Sequence, residues 1–299
     1  MGPSDHEALN QPVTRLVVVS TSDKQLIYLV GQLIDSIVMP DFIDPDIHTI
    51  VLLLHDASTN ADLKSILNQL KERYTAVSLV INSCVDGSEH VSDIWSAHVK
   101  ESALVDTFCN KGDDYVEMLR GTLISSQDLI AAQALMAWFA ESVRSHMSQQ
   151  LKEWDKVANS KRGISNRLFK VGLKYFSKPG TTPTHYSSAE MLTRRAGDYA
   201  YMMGDYKYAA SLYDLVKKDF TEYHYAGCLE MAALSVLMQG EIKAADQQFE
   251  MASKIYQQCD MAVYAARSAM WAAQAFKELE AFKESASALL RVNVSIVIT

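Results

Sequence analysis

The stretch Trp154–Phe176, WDKVANSKRGISNRLFKVGLKYF, separates two kinds of sequence pattern and differs from both in its charge. Before it, short β-branched runs alternate with segments of helical periodicity; after it, every periodic segment reads as helix. No acid falls between Asp155 and Glu190. Over the same interval Lys156, Lys161, Arg162, Arg167, Lys170, Lys174 and Lys178 place seven bases in a chain whose net charge is −8. At roughly 100° per residue from Ile164, Arg167, Lys170, Lys174 and Lys178 share one flank of a helix, and Ile164, Leu168, Phe169, Val171, Tyr175 and Phe176 share the opposite face. A basic amphipathic helix of this kind can lie in a membrane interface, dock on an acidic partner, or pack on its own domain with its bases solvated. Gly163 interrupts the pattern, so Asn159–Gly163 reads as a turn, with Ser165 or Asn166 capping the basic helix beyond it.

Upstream, Leu129, Ala132, Met136, Phe139, Val143, Met147, Leu151 and Trp154 recur at threes and fours and predict one long helix with a core-facing stripe. About thirty residues would span roughly 45 Å, enough for a spine between two halves. Ahead of it stand three strand-like runs, Arg15–Ser20, His48–His55 and Ala76–Ile81, separated by helical segments at Lys24–Val38 and Ala61–Arg73. Near-continuous apolar strands alternating with helices predict a small, mainly parallel sheet covered on both faces. Ala103–Phe108 is a candidate fourth strand, and Asp113–Gly121 a short helix.

Downstream, Lys178–Ser188 is a linker by composition. Ala196-Gly197, Gly204-Asp205-Tyr206, Ala209 and Tyr213 then match the spacing of a tetratricopeptide unit, with Gly204 supplying the tight turn. The pattern returns at Gly240, Ile242, Ala245 and Phe249, and more loosely at Glu280, Phe282, Ser285 and Leu289. Intervals of 36 and 40 residues predict an irregular helical solenoid. The chain is thus expected to hold a disordered tail over 1–14, an α/β domain over 15–122, a long helix over 123–160, a basic helix and linker over 161–187 and a tetratricopeptide-like solenoid over 188–299. The apolar ending VNVSIVIT lacks a polar cap, so either it finds cover on the solenoid or the chain is a shortened version of something longer.

Composition narrows the function. An apolar content of 48 % can bury a real core,. A pI near 5.5 excludes broad nonspecific binding to nucleic acid,. With no signal-peptide pattern and no long uncharged apolar window, a soluble cytosolic protein is expected. Cys84, Cys109, Cys228 and Cys259 are scattered without metal-ligand spacing and read as reduced thiols, and the sequon at Asn293 meets no glycosylating enzyme there. No glycine-rich phosphate loop, nucleophile elbow or zinc motif is present, so no cofactor or metal is expected. Ser20, His55 and Asp56 stand at the carboxyl ends of the first two strands, where α/β enzymes carry their chemistry. His55 with Asp56 could form an acid–base pair beside Ser20, but adjacent strand residues face opposite ways, and HDAS reads more simply as a strand end and helix cap. Tyr199, Tyr201, Tyr206, Tyr208, Tyr213, Tyr223 and Tyr225 pack between repeats or line a peptide groove, and Met191, Met202, Met203, Met231 and Met238 read as gap-filling core.

Several segments together resemble a known family. LLLHDAS, a helix ending in KERY, SLVINS and IWSAHV resemble the α/β region of the large subunit specific to TRAPP III, the eighty-five-kilodalton-class subunit of the transport protein particle. The likeness continues through RSHMSQQLKEWDKVANSKRGISNRLFKVGLKYF, RRAGDYAYMMGDYKYAASLYDLVKKDF and YHYAGCLEMAALSVLMQG. It runs from Thr49 to Arg291 and is strongest over Lys161–Phe176 and Tyr225–Ala233. Family members extend much further, so the chain resembles a short or truncated one. The resemblance implies a scaffold: a noncatalytic subunit that docks on the TRAPP core, whose small subunits exchange nucleotide on a Rab GTPase in ER-to-Golgi traffic and autophagy. It further implies a cytoplasmic protein held peripherally at early Golgi or pre-autophagosomal membranes. Lys161, Arg162, Arg167, Lys170, Lys174 and Lys178 then become candidates for an anionic membrane or an acidic partner. A generic tetratricopeptide adaptor outside TRAPP, or an α/β enzyme acting near His55 and Asp56, are the alternatives.

Overall fold

A computed structural model describes residues 5–7, 12–23, 25–44, 46–57, 59–81, 126–162 and 185–297. The chain divides into two compact units, one made of Thr14–Val38 and His48–Val143, the other of Met1–Val13, Met39–Ile47 and Arg144–Thr299.

In the first unit, β1 (Thr14–Ser20), β2 (His48–Asp56) and β3 (Thr75–Ile81) form a parallel sheet in the order β1-β2-β3. The register sets Val17 beside Val51 and Val51 beside Ala76. Consecutive crossovers are carried by α1 (Leu26–Asp35) and α2 (Leu63–Lys71). Right-handed crossovers in a sheet whose order follows the chain bring both helices to the same face. On that face Val17, Val19, Val51, Leu53 and Ala76 pack against Leu26, Val30 and Leu70. The opposite face is uneven: Ile50 is fully buried, whereas Leu16 and Val18 are 47 and 48 % exposed. Helices on both faces, expected from the strand hydropathy, are therefore not seen among the described residues. The cap of α2 is Asp62, which accepts from the Ser65 amide at 3.1 Å, rather than the strand-end Asp56. The candidate strand at 103–108 and helix at 113–121 lie outside the described residues.

The long helix α3 (Ser126–Arg162) contributes to both units. Met147, Trp154 and Ala158 are buried along one stripe, but Met136 is 66 % exposed, so the expected core-facing stripe holds only toward the C-terminal end. The turn expected at Asn159–Gly163 is absent as far as Arg162: the helix continues, and Asn159 donates to Asp155 one turn back at 2.8 Å.

Among the described residues six further helices belong to the second unit: α4 (Ala189–Met202), α5 (Tyr206–Val216), α6 (Glu222–Leu237), α7 (Ile242–Gln258), α8 (Ala262–Glu278) and α9 (Phe282–Val297). From α5 onward each packs on the helix before it. Ser188 caps α4 through the Met191 amide and Asp205 caps α5 through the Tyr208 amide, both at 3.1 Å,. Four of the five links turn through one left-handed residue: Gly204 and Gly240 at φ +85°, Asp260 at +57° and Glu280 at +58°. Small residues permit close helix approach. A β-carbon on Gly197 would lie 3.0 Å from the Tyr213 ring, and Ala233, Ala245, Ala272, Ala273 and Ala288 are buried around Phe249 and Phe276. Residues 39–47 also belong to this unit: Ile43 is buried, and Phe42 packs against Met191, Val216, Phe220 and Cys228.

Candidate functional site

The helical unit carries an unusual amount of charge in its interior. Arg194 and Asp198 lie one turn apart on α4 and are 0 and 3 % exposed; Glu230 on α6 is 2 % exposed. Spacings of four and three residues put Tyr223, Gly227 and Glu230 on one side of α6, and Tyr264 and Arg267 share a side of α8. Tyr256 of α7 stands near them, its hydroxyl 3.4 Å from Glu230 Oε2. These residues form a groove, and the segment Asp5-His6-Glu7 lies in it. The sequence reads residues 1–14 as a disordered tail; these three are instead packed on the helices, with His6 and Glu7 buried.

Each residue of the segment meets a specific partner. The Asp5 carbonyl accepts from Arg194 Nη1 at 2.8 Å, and its carboxylate accepts from His224 Nε2 at 2.7 Å. The His6 ring presents edges and faces to Tyr264, Tyr223 and Tyr256, with centroids 4.6, 5.2 and 5.8 Å away,. Glu7 pairs with Arg267, whose guanidinium also reaches Glu230 Oε2 at 2.8 Å and stacks over the rings of Tyr264 and Trp271. Gly227 leaves room for the segment's backbone, since a β-carbon there would stand 2.3 Å from the His6 carbonyl oxygen.

The electrostatics follow from this geometry. Burial by itself would raise the Asp5 carboxyl, but the hydrogen bonds to His224 and His6 and their charge hold it well below the usual carboxylate range,. Burial lowers His6 against the opposing pull of Asp5. Burial also pushes Glu230 up to about 8, against the hydrogen bond from Tyr256, and Arg267 lies between this carboxyl and that of Glu7. Cys228 is pushed up to about 12 by burial and stays a thiol,. The arrangement holds its own short acidic segment, with carboxylates paired to bases around an aromatic slot that takes the His6 ring.

The residues singled out from the sequence fall elsewhere. Lys161 and Arg162 stand on the last turn of α3. Arg167, Lys170, Lys174 and Lys178 lie outside the described residues. Ser20 and His55 are not joined: Ser20 Oγ bonds Ser22 Oγ at 2.7 Å, and His55 Nδ1 bonds Thr21 Oγ1 at 3.1 Å. Of the tyrosines, Tyr213 packs in the core and donates to Asp198 at 2.6 Å, Tyr199 lies against Trp154, and Tyr223 lines the groove. Sequence reasoning missed Arg194, His224, Gly227, Glu230 and Arg267. The one local signal was Glu230 inside the run CLEMAAL, a carboxyl on a helix that is otherwise apolar there. Among the described residues, no cluster of histidine, cysteine or acidic side chains has the makings of a metal site, and no helix is long and apolar enough to cross a membrane.

Comparison with known proteins gives one family. The family described as the ER-Golgi trafficking TRAPP I complex 85 kDa subunit matches residues 1–280. Transport protein particle subunit trs85-1 of Schizosaccharomyces pombe is 21 % identical over a match spanning 88 % of this chain and 50 % of its own length. Trafficking protein particle complex subunit 8 of Homo sapiens is 23 % identical over 71 % of this chain and 16 % of its own. A second Schizosaccharomyces pombe protein, trs85-2, is 22 % identical over 76 % of this chain and 39 % of its own. The chain thus spans half or less of the relatives it matches.

Proposed function

The chain belongs to the TRAPP 85 kDa subunit family, and from that premise we propose that it is a noncatalytic scaffold and targeting subunit of a TRAPP III-type complex. In this role it docks on the TRAPP core, and the core acts as exchange factor for a Rab GTPase in ER-to-Golgi traffic and autophagy. The observation that carries the reading is the family match over residues 1–280, which takes in the sheet, the long helix and the helices up to the start of α9.

Within this proposal the α/β region over 15–122, the helix over 123–160 and a tetratricopeptide-like solenoid over 188–299 act as rigid docking surfaces. The basic segment over 161–187 meets an anionic membrane through Lys161, Arg162, Arg167, Lys170, Lys174 and Lys178, which places the protein peripherally at early Golgi or pre-autophagosomal membranes. Four aligned bases, at about 1 kcal/mol each near an anionic surface, are enough for recruitment and too little for permanent anchoring. The direct test is affinity purification of the tagged chain from cells, with identification of what comes with it. TRAPP core subunits are expected in stoichiometric amount; their absence, with other proteins recovered instead, overturns the assignment.

A further inference from the structure

Two features of the helical groove are unexplained by the packing of the helices themselves. Gly227 sits inside α6, where alanine is the better helix former. On the protein side a β-carbon there would meet nothing nearer than the Tyr256 hydroxyl at 3.5 Å, an ordinary contact, so the missing side chain serves the backbone passing over it, 2.3 Å from where that carbon would be. Arg194 is fully buried, yet its Nε and Nη2 have no hydrogen-bond partner among the described residues, and Nη1 is spent on a neutral carbonyl. A guanidinium is a planar fork that pairs both oxygens of a carboxylate, and a single carbonyl leaves most of that capacity unused. The groove is therefore shaped for a peptide backbone, and Arg194, whose charge is met by the nearby Asp198, keeps two buried N–H groups that the segment in it does not use.

We propose that the groove between α4, α6 and α8 is a docking site for an extended acidic segment of a partner protein, in which two carboxylates flank an imidazole or aromatic ring. Asp5-His6-Glu7 is the resident occupant, and it marks the subsites: His224 and Arg194 for the first acid, the slot of Tyr223, Tyr256 and Tyr264 for the ring, and Arg267 for the second acid. The partner segment displaces it by offering a carboxylate to the free side of Arg194. An apolar peptide lacks the carboxylate that pairs with Arg267 and an acceptor for the unused N–H groups of Arg194, and a basic one would bring like charges together.

The test uses the full-length chain and a fluorescent peptide of residues 3–10, PSDHEALN. In the D5K/E7K double variant the resident segment is repelled, and hydrogen exchange at residues 5–7 reports its release. The labelled peptide is expected to bind this variant at least tenfold tighter than the wild-type chain, where the resident segment competes. Adding Gly227→Ala to the double variant is expected to abolish binding while circular dichroism keeps its helical signal, because the new methyl blocks the backbone track without disturbing α6. Arg267→Gln in the same background is expected to weaken binding and make it less sensitive to salt. Failure of the charge-reversed chain to release its segment, failure of the released groove to take the peptide, or binding indifferent to Gly227→Ala would each overturn the proposal.

Discussion

Asp5 and His6 are held by charge balances that acid undoes. Asp5 has its carboxyl below the usual range, so its contribution is fully present above its unfolded value near about 4 and is lost as pH falls beneath that,. The imidazole of His6 is lowered by burial, so it binds its proton more readily once released, and its contribution falls away as pH drops below about 6.5,. Both signs agree: acid loosens the segment. The groups facing the pair are His224 and Tyr223 of α6, Arg194 of α4, Glu230 of α6, Tyr256 of α7, and Tyr264 and Arg267 of α8, with Glu7 in the segment itself. Exchange protection of residues 5–7, corrected for intrinsic rates, is expected to decrease steadily from pH 7.5 to pH 4. His6→Phe fills the same aromatic slot without titrating, so it should confine the decrease to the acid end of that range.

At the scale of the element, the helix links show what a turn asks of its residue. Gly204 and Gly240 share φ +85° with open space around the missing β-carbon, so a substitution there meets backbone strain alone,. Gly204→Ala is expected to cost about 1 kcal/mol, read as a lower urea midpoint with unchanged slope. The matching position before α9 is Glu280, exposed and also left-handed at φ +58°. Here the strain is already present, and Glu280→Gly should raise stability by about 0.5–1 kcal/mol. Periodicity located these turns because left-handed backbone is scarce and glycine fills it at little cost; Glu280 was found through its distance from Gly240 and not through its own chemistry. The end of α3 was misplaced for the converse reason. Gly163 suggested a turn from Asn159 onward, but a glycine disfavours helix only at its own position, and Asn159 is held by Asp155 one turn back,.

For the molecule as a whole, the proposed recruitment to a membrane turns on charge concentrated in one place. A chain of net charge −8 is repelled by an anionic surface on average, so binding must come from a local patch, and the acid-free interval 156–189 is the place that can supply one,. Replacing Arg167, Lys170 and Lys174 with glutamate is expected to abolish flotation with phosphatidylserine-containing liposomes while leaving the circular dichroism unchanged. Wild-type binding should weaken as salt rises; binding that ignores both salt and substitution would leave the membrane reading without support.

The order of strands and helices and the glycine turns were legible in the chain itself, because each depends on residues within a turn or two of one another, and the parallel sheet followed from apolar strands alternating with helices. Family membership was legible too, since ordered motifs from Thr49 to Arg291 survive at low identity. The groove was not. Asp5 is 189 residues from Arg194 and 219 from His224, and nothing local distinguishes a glycine kept for a passing backbone from one kept for a close helix. Periodicity fixes which face of a helix turns inward; only packing in three dimensions decides which distant charges meet there, because burial and pairing are properties of neighbours in space.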